Sequence, residues 1–416
     1  MSDKLKRILI ITGFVVAVIA IATAIYFVFF KPPATLETQI FEPETEEPDF
    51  ITSSQLPDIV AGNVNRIISQ QGSIEDRLPE GAQVSEVARG SYTKVNDILD
   101  QNIASAALNS GGGLNYYDSG SGYFYRRSNN GSIEQLSSER FYQVQNVVWS
   151  PQADKAILEY PDGSNILYDF NSGKQSSLPK DLQDFNFSAD GQQIAAEAIG
   201  LRSENNWIIT AGPDGSNLTF VERLGDQADN VDINWSPNSQ VVALYRKNVN
   251  AYDQEVLFIG QRGENFQALK VYGRGFEGKW TPKGDRLLYS VFTDSNGFRP
   301  TLWVTDAQGD NIGLNNRELG LNTWPSKCVI ASDNITAYCG VPLELAEGSG
   351  IYPRLADESE DVIYRVNLKT GQRSLLARPV GSLDSYTVGD IFLSQDERAL
   401  YFQDKQSNRV YSINLN

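Results

Sequence analysis

From about Ala104 to the last residue, the chain is written in short runs that alternate apolar and polar positions, each closed by a turn rich in Gly, Asn, Asp or Pro. Alternation with a period of two is the mark of half-buried β-strands. Ala156-Ile157-Leu158-Glu159-Tyr160 and Leu287-Leu288-Tyr289-Ser290 are examples, and a further run follows each, such as Ile166-Leu167-Tyr168 or Leu302-Trp303-Val304. An aromatic-Ser/Thr-Pro/Ala signature recurs at Trp149-Ser150-Pro151, Phe187-Ser188-Ala189, Trp235-Ser236-Pro237 and Trp280-Thr281-Pro282, at spacings of 38, 48 and 45 residues. Weaker copies stand at Ala331-Ser332-Asp333 and Leu393-Ser394-Gln395. Four antiparallel strands per repeat of about 40 to 50 residues predict an all-β fold, a β-propeller of four-stranded blades.

An earlier, degenerate unit spans Ala104 to Leu136, with strands around Tyr116-Tyr117 and Tyr123-Phe124-Tyr125. Counting it gives seven blades, and six is the alternative. The last blade begins near Val388 and runs out of chain after three strands, so residues 59–104 are expected to act as a lead-in that supplies the missing strand. Val84 to Ala88 is the candidate for that strand, and the propeller proper is assigned to 105–416.

The amino terminus follows another pattern. Residues 8–30 are uncharged and apolar, and as a helix at about 1.5 Å per residue they cover a bilayer's hydrocarbon thickness. Lys4, Lys6 and Arg7 precede them, so residues 1–7 are expected in the cytoplasm and everything after the span on the extracytoplasmic side of the cell membrane. Ala20-Ile21-Ala22 and Ala22-Thr23-Ala24 resemble signal-peptide cleavage sites, but the apolar run continues through Tyr26, Phe27, Phe29 and Phe30, which favours a signal anchor over a cleaved leader. Residues 31–58 form an acidic, Pro-rich stretch with no base after Lys31; self-repulsion and proline stiffness predict an extended stalk.

Composition narrows the chemistry. The chain has no histidine among 416 residues, which removes Ser-His-Asp and Cys-His nucleophile systems and histidine-bearing metal sites. Its 52 acidic and 35 basic residues give a net charge of −17, of which −13 falls on 59–416, so a nucleic acid would be repelled and no nucleic-acid partner is expected. Cys328 and Cys339 are the only cysteines and lie about equally far from the Ser332-Asp333-Asn334 turn. If two antiparallel strands meet there, the pair faces across them and a disulfide forms, which an exported location permits. Free buried thiols and a metal or redox pair are the other readings.

Three positions before each signature aromatic stand Asn146, Asp184, Asp232 and Glu277, with Asp390 in the last blade and Lys327 in the irregular one. These positions begin the innermost strands, so Asp184, Asp232, Glu277 and Asp390 are candidates to gather at one end of the central channel and bind a cation, a calcium ion among them. Acids there also serve as acceptors for backbone hydrogen bonds of a neighbouring blade. Trp149, Trp235 and Trp280 are expected between blades and Trp207 and Trp303 in strands of the core. Trp324, out of register beside Pro325, and Lys327 are candidates for an exposed binding face.

The signatures Trp149-Ser150-Pro151 with Lys155, and Trp280-Thr281-Pro282-Lys283-Gly284-Asp285-Arg286, resemble the WD-repeat-like blades of TolB-type bacterial propellers. Thr323-Trp324-Pro325-Ser326-Lys327-Cys328 and Tyr338-Cys339-Gly340-Val341-Pro342 resemble a recurring feature of membrane-anchored members of that group. The resemblance implies a propeller over roughly 105–416 that serves as a non-enzymatic platform for a protein or an envelope polymer, with the 342–361 insertion on its open face. A carboxylate-dependent hydrolase or lyase acting on a polysaccharide is the competing expectation.

Overall fold

The computed structural model describes residues 78, 79 and 81–416. The tail at 1–7, the apolar span at 8–30, the acidic stalk at 31–58 and the first part of the 59–104 lead-in lie outside them. Among the described residues no helix is long and apolar enough to cross a membrane.

Seven four-stranded blades make up the ring: blade 1 (103–135), blade 2 (146–178), blade 3 (182–223), blade 4 (231–272), blade 5 (274–318), blade 6 (328–380) and blade 7 (388–414 with a strand from the amino-terminal side). First strands adjoin one another from blade 6 through blade 7 and blade 1 to blade 4, that of blade 7 meeting that of blade 1, so they line the axis and the ring closes. Because the strands are antiparallel, first strands begin and second strands end on one rim, called here the front; the signature turns lie on the back rim.

Those turns explain the repeat. The signature Ser or Thr ends the first strand, and its hydroxyl both donates to an acid or amide within the turn and accepts an amide from the second strand. Ser150 Oγ is 2.7 Å from Asp154 Oδ1 and accepts from the Lys155 amide; Ser236 and Thr281 act likewise on Asn238 and Asp285. Three residues after the hydroxyl, the backbone closes a turn and enters the left-handed region at Ala153, Gly191, Ser239, Gly284 and Glu397. In blade 6 Ala331 has no hydroxyl, and Asp333 Oδ1 takes the amides of Ile335 and Thr336 instead. One side chain thus fixes where each hairpin reverses, as turn-forming Ser and Asp do elsewhere.

The core is divided into seven apolar clusters, one at each blade junction. Alternate residues of each second strand serve opposite neighbours: Ala156 and Leu158 pack toward blade 1, whereas Ile157 packs toward blade 3. The second strands are therefore buried on both faces and read as continuous apolar runs, with each fully buried Leu, Ile or Val contributing roughly 1.5–3 kcal/mol. Trp235 and Trp280 are buried at junctions as expected, and Trp280 Nε1 crosses to the carbonyl of Asn234 at 3.1 Å. Trp149, half-buried, reaches Ser105 Oγ of blade 1.

Ring closure is displaced from its expected position. The fourth strand of blade 7 is Asn96–Leu99, antiparallel to Val410–Asn414, and not Val84–Ala88. Leu99 and Val95 are buried, and so is Ala88, whose amide donates to the Asn414 carbonyl, but Val84–Ala88 forms no strand and Ser85 makes only an isolated bridge to Thr93. Ser91–Lys94 adds a fifth strand to blade 6, parallel to Arg373–Val380. Blade 1 then starts at Ile103, slightly before the expected boundary. A single stretch, 91–108, therefore ties blades 6, 7 and 1 together.

Candidate binding face at the front rim

The starts of the inner strands place the predicted acids on the front rim, at the mouth of the channel. In blades 3, 5 and 7 the pairing slips between residues 183 and 186, 274 and 277, and 388 and 391, so each inner strand carries a bulge beside its acid. Bulges re-aim side chains. Asp184 itself has φ +53°, a left-handed conformation that disfavours a residue with a Cβ by roughly 1–2 kcal/mol. Asp184 and Asp390 are exposed, and Asp232 and Glu277 are half-buried.

Two carboxylates that the sequence reading passed over complete this arrangement. Glu159 ends the second strand of blade 2 and Glu197 stands one residue before the end of that of blade 3, each ten positions after its signature aromatic. The other blades that carry the signature have Tyr245, Ser290, Gly340 and Gln403 there, so an alignment ten residues past the signature carries the signal. Glu197 is only 2% exposed; Gln183 donates to its Oε2 at 3.2 Å, and its Oε1 has no hydrogen-bond partner among the described residues. Although sealed from water, it sits near the wall of the mouth and not in the deepest packing.

Burial raises the Glu197 carboxyl to about 7, against the Gln183 hydrogen bond and with help from the negative fields of Asp184, Asp229 and Asp232. Burial likewise raises Glu159, opposed by its bond from Asn146 and reinforced by Asp184. Asp232 is raised by burial, with Arg246 pulling down and Glu277 and Asp184 pushing up. Blades 2 to 5 thus form an acid arc. Arg246 is the nearby base, and it also donates to the carbonyls of Asp229 and Asn230.

The other side of the mouth is electrically balanced. Lys279 Nζ lies 2.6 Å from the Cys328 carbonyl; burial lowers its pKa, while the fields of Asp390 and Glu277 raise it. Asp390 is raised by burial and lowered by Lys279 and Lys405. Asp390 and Lys279 both touch solvent while surrounded by protein, which is how groups lining a water-filled channel behave.

Trp324 and Lys327 do not belong to an exposed face. The short 3-10 turn Pro325–Lys327 tucks both inward: Trp324 is buried, and Lys327 is buried against Asp361 with Nζ 2.7 Å from Oδ2. A lysine at a ring position whose neighbouring chain supplies a buried carboxylate becomes an internal ion pair. Nor do the four acids share one point. Among the described residues no group of three or more acids is close enough together to hold a metal ion. Cys328 and Cys339 are directly opposite each other in the register and are joined as a disulfide, both fully buried.

The loops of the front rim carry the other notable feature. Thirteen large hydrophobic side chains are exposed among the described residues, and nine of them are on this rim. Tyr252 and Tyr272 stack at 6.5 Å beside Val249 at the outer part of blade 4, and Leu343, Ile351, Tyr352 and Leu355 stand on the 343–360 insertion of blade 6. The insertion is held by structure of its own: Arg299 Nε donates to the Leu345 carbonyl at 2.8 Å, and Lys405 Nζ meets Asp357 Oδ1 at 2.6 Å. Leu343, Leu345 and Leu355, with Glu344, Glu358 and Glu360, line an open groove of about 580 Å³.

No protein-family description and no curated protein matches the chain. Solved structures do. The β-propeller domain of Myceliophteria thermophila Cps50 (Swd1) superposes with a TM-score of 0.53 at 9% identity, over 77% of this chain and 100% of that one. The chain is therefore a β-propeller of the general kind seen in that domain. An oligogalacturonate lyase in complex with manganese gives 0.48 at 12% identity over 79% and 99% of the two chains. Tricorn protease gives 0.47 at 11% identity, where the match covers 77% of this chain and spans about a third (34%) of the protease chain. At such identities the likeness extends to the fold alone.

Proposed function

We propose that this chain is a membrane-tethered, extracytoplasmic interaction platform that holds a protein partner on the front rim of its propeller without catalysing a reaction. The observation that carries this reading is the concentration of exposed apolar side chains on that rim, where water-facing loops of a monomer would otherwise be polar. The apolar residues stand among acids, Glu344, Glu347, Asp357, Glu358 and Glu360, so the complementary surface is apolar and basic. Tethering and export are supported by the apolar run at 8–30 behind Lys4, Lys6 and Arg7, and by a disulfide suited to an oxidising compartment. The TolB-type resemblance of the blade signatures agrees with a platform in the cell envelope.

The test is photo-crosslinking in the native membrane. A photoreactive side chain at Tyr352 on the front rim should capture a discrete protein, and one at Leu314 on the back rim should not. Equal capture from both, or capture of an envelope polymer in place of a protein, overturns the proposal as stated.

A second reading has one observation in its favour. A carboxyl raised to about 7 beside other carboxylates is the pairing that glycoside hydrolysis uses for a general acid and its partner. Turnover of neutral glycans by the wild-type chain, abolished in Glu197→Gln, would establish it; a uronate polymer is disfavoured by repulsion from the arc.

A further inference from the structure

Carboxylates repel one another, and a protein that gathers more of them than it supplies with counter-ions leaves a field to be filled. The acid arc is such a place. Asp184 from the first strand of blade 3, Glu197 from its second strand and Asp232 from the first strand of blade 4 influence one another electrostatically, and Asp229 in the 3-10 segment Gly225–Asn230 adds its negative field at Glu197. Arg246 is the base within reach of Asp232, and its donors already serve the carbonyls of Asp229 and Asn230. Glu197 supplies a separate observation: it is closed to solvent, yet Oε1 lacks any donor among the described residues. An unpaired buried acceptor is costly, roughly 1–3 kcal/mol, and is the kind of group that an arriving donor rewards.

The shape of the cluster selects among cations. No three acids converge on one point, which disfavours a bare metal ion and favours a cation whose donors are spread out. A guanidinium presents five N–H donors in a fixed plane and keeps its charge at any ordinary pH.

We propose that the Asp184–Glu197–Asp232 side of the channel mouth is a receptor for arginine side chains of a basic peptide segment. This rests on the platform reading and names the chemistry by which the front rim would grip its partner. A guanidinium seated against the exposed Asp184 and the half-buried Asp232 adds a positive field at the buried Glu197 and favours its ionised carboxylate, so binding expels a proton from the protein at a pH where Glu197 is still protonated. Affinity must therefore rise with pH, because the peptide's own charge does not change.

The experiment uses the full-length chain in detergent and a fluorescent oligo-arginine peptide, with a citrulline peptide of equal length as the uncharged control. Anisotropy titrations are run at about pH 6 and about pH 8, on either side of the Glu197 transition. Wild type should bind oligo-arginine and not citrulline, more tightly at the higher pH. Asp232→Asn should weaken binding about tenfold, the loss expected for one charge-assisted hydrogen bond. Glu197→Gln should remove the pH dependence, and Asp214→Asn, in a hairpin on the back rim, should change nothing. Near-ultraviolet circular dichroism of each variant confirms that the fold is kept.

Equal affinity across the variants, the same pH dependence in Glu197→Gln, or saturation by spermidine at the concentrations that saturate with peptide would overturn the proposal. A partner captured through Tyr352 while oligo-arginine ignores the arc would leave the platform standing and remove this inference. Arginine binding at the arc with no captured partner would do the reverse.

Discussion

Lys327 Nζ and Asp361 Oδ2 are 2.7 Å apart with both side chains sealed from solvent, and the two residues bracket the second strand and the insertion of blade 6. Asp361 Oδ2 also accepts the Val388 amide of blade 7 at 2.6 Å, so the pair fastens the insertion to the next blade. Burial pulls the lysine down and the aspartate up, each countered by the other's charge. Breaking one half leaves an uncompensated buried charge. Lys327→Ala should lower stability by about 3–5 kcal/mol, read as a fall in the urea midpoint, and Lys327→Met with Asp361→Asn should recover most of the loss. A single variant as stable as wild type would show that the pair is not closed to water.

Closure through Asn96–Leu99 makes the amino-terminal side of the ring as important as its carboxyl end. Leu99 is 2% exposed at the blade 7 to blade 1 junction, where Val410 and Ile103 meet it. Leu99→Ala should cost about 2–5 kcal/mol by the methyl groups lost and the cavity left. Truncation before Tyr116 should lower the melting temperature sharply. An unchanged transition in the truncated chain, followed by differential scanning fluorimetry, would mean that the ring closes without this strand.

The blades were readable because one hydroxyl does a local job. Ser150, Ser236 and Thr281 form their turn bonds within five residues, so sequence spacing carries the information. Lys327 was misread for the opposite reason: its partner lies 34 residues away, beyond the insertion, and nothing local to Trp324 or Lys327 distinguishes a buried site from an exposed one. The four predicted acids do stand at the channel mouth, since the register of an inner strand fixes its start. Glu159 and Glu197 escaped because they stand at or next to the ends of second strands that otherwise read as core, and a carboxylate there is visible only when the blades are aligned.

Cys328 and Cys339 bridge the first hairpin of blade 6, where Ala331 stands in place of the turn-setting hydroxyl of blades 2, 3, 4, 5 and 7. The disulfide pins a hairpin whose turn is set by Asp333 in place of that hydroxyl. Non-reducing peptide mapping should recover the two cysteines in one linked peptide. With the two cysteines 11 positions apart in sequence, loss of the bridge in a Cys328→Ala, Cys339→Ala variant should destabilise by about 3 kcal/mol on chain-entropy grounds. Two free thiols, or a variant that melts with wild type, would refute this.

Glu197 makes the stability of the propeller depend on pH in a direction that the variant can isolate. Its folded-state value, about 7, lies above the ordinary glutamate value of 4.5, so the folded chain holds this proton more tightly than the unfolded chain does. The stabilising contribution is complete below the unfolded value and is lost as pH rises through the folded one. Between about pH 4.5 and 7 the wild type should therefore lose on the order of 3 kcal/mol from this group alone, at about 1.4 kcal/mol per unit. Glu197→Gln carries no charge to expose and should be flatter over that window and more stable than wild type at about pH 8. Urea denaturation at several pH values measures both slopes. Parallel curves for the two proteins would show that Glu197 ionises as it does in the unfolded chain, and that a water or a side-chain donor already satisfies Oε1.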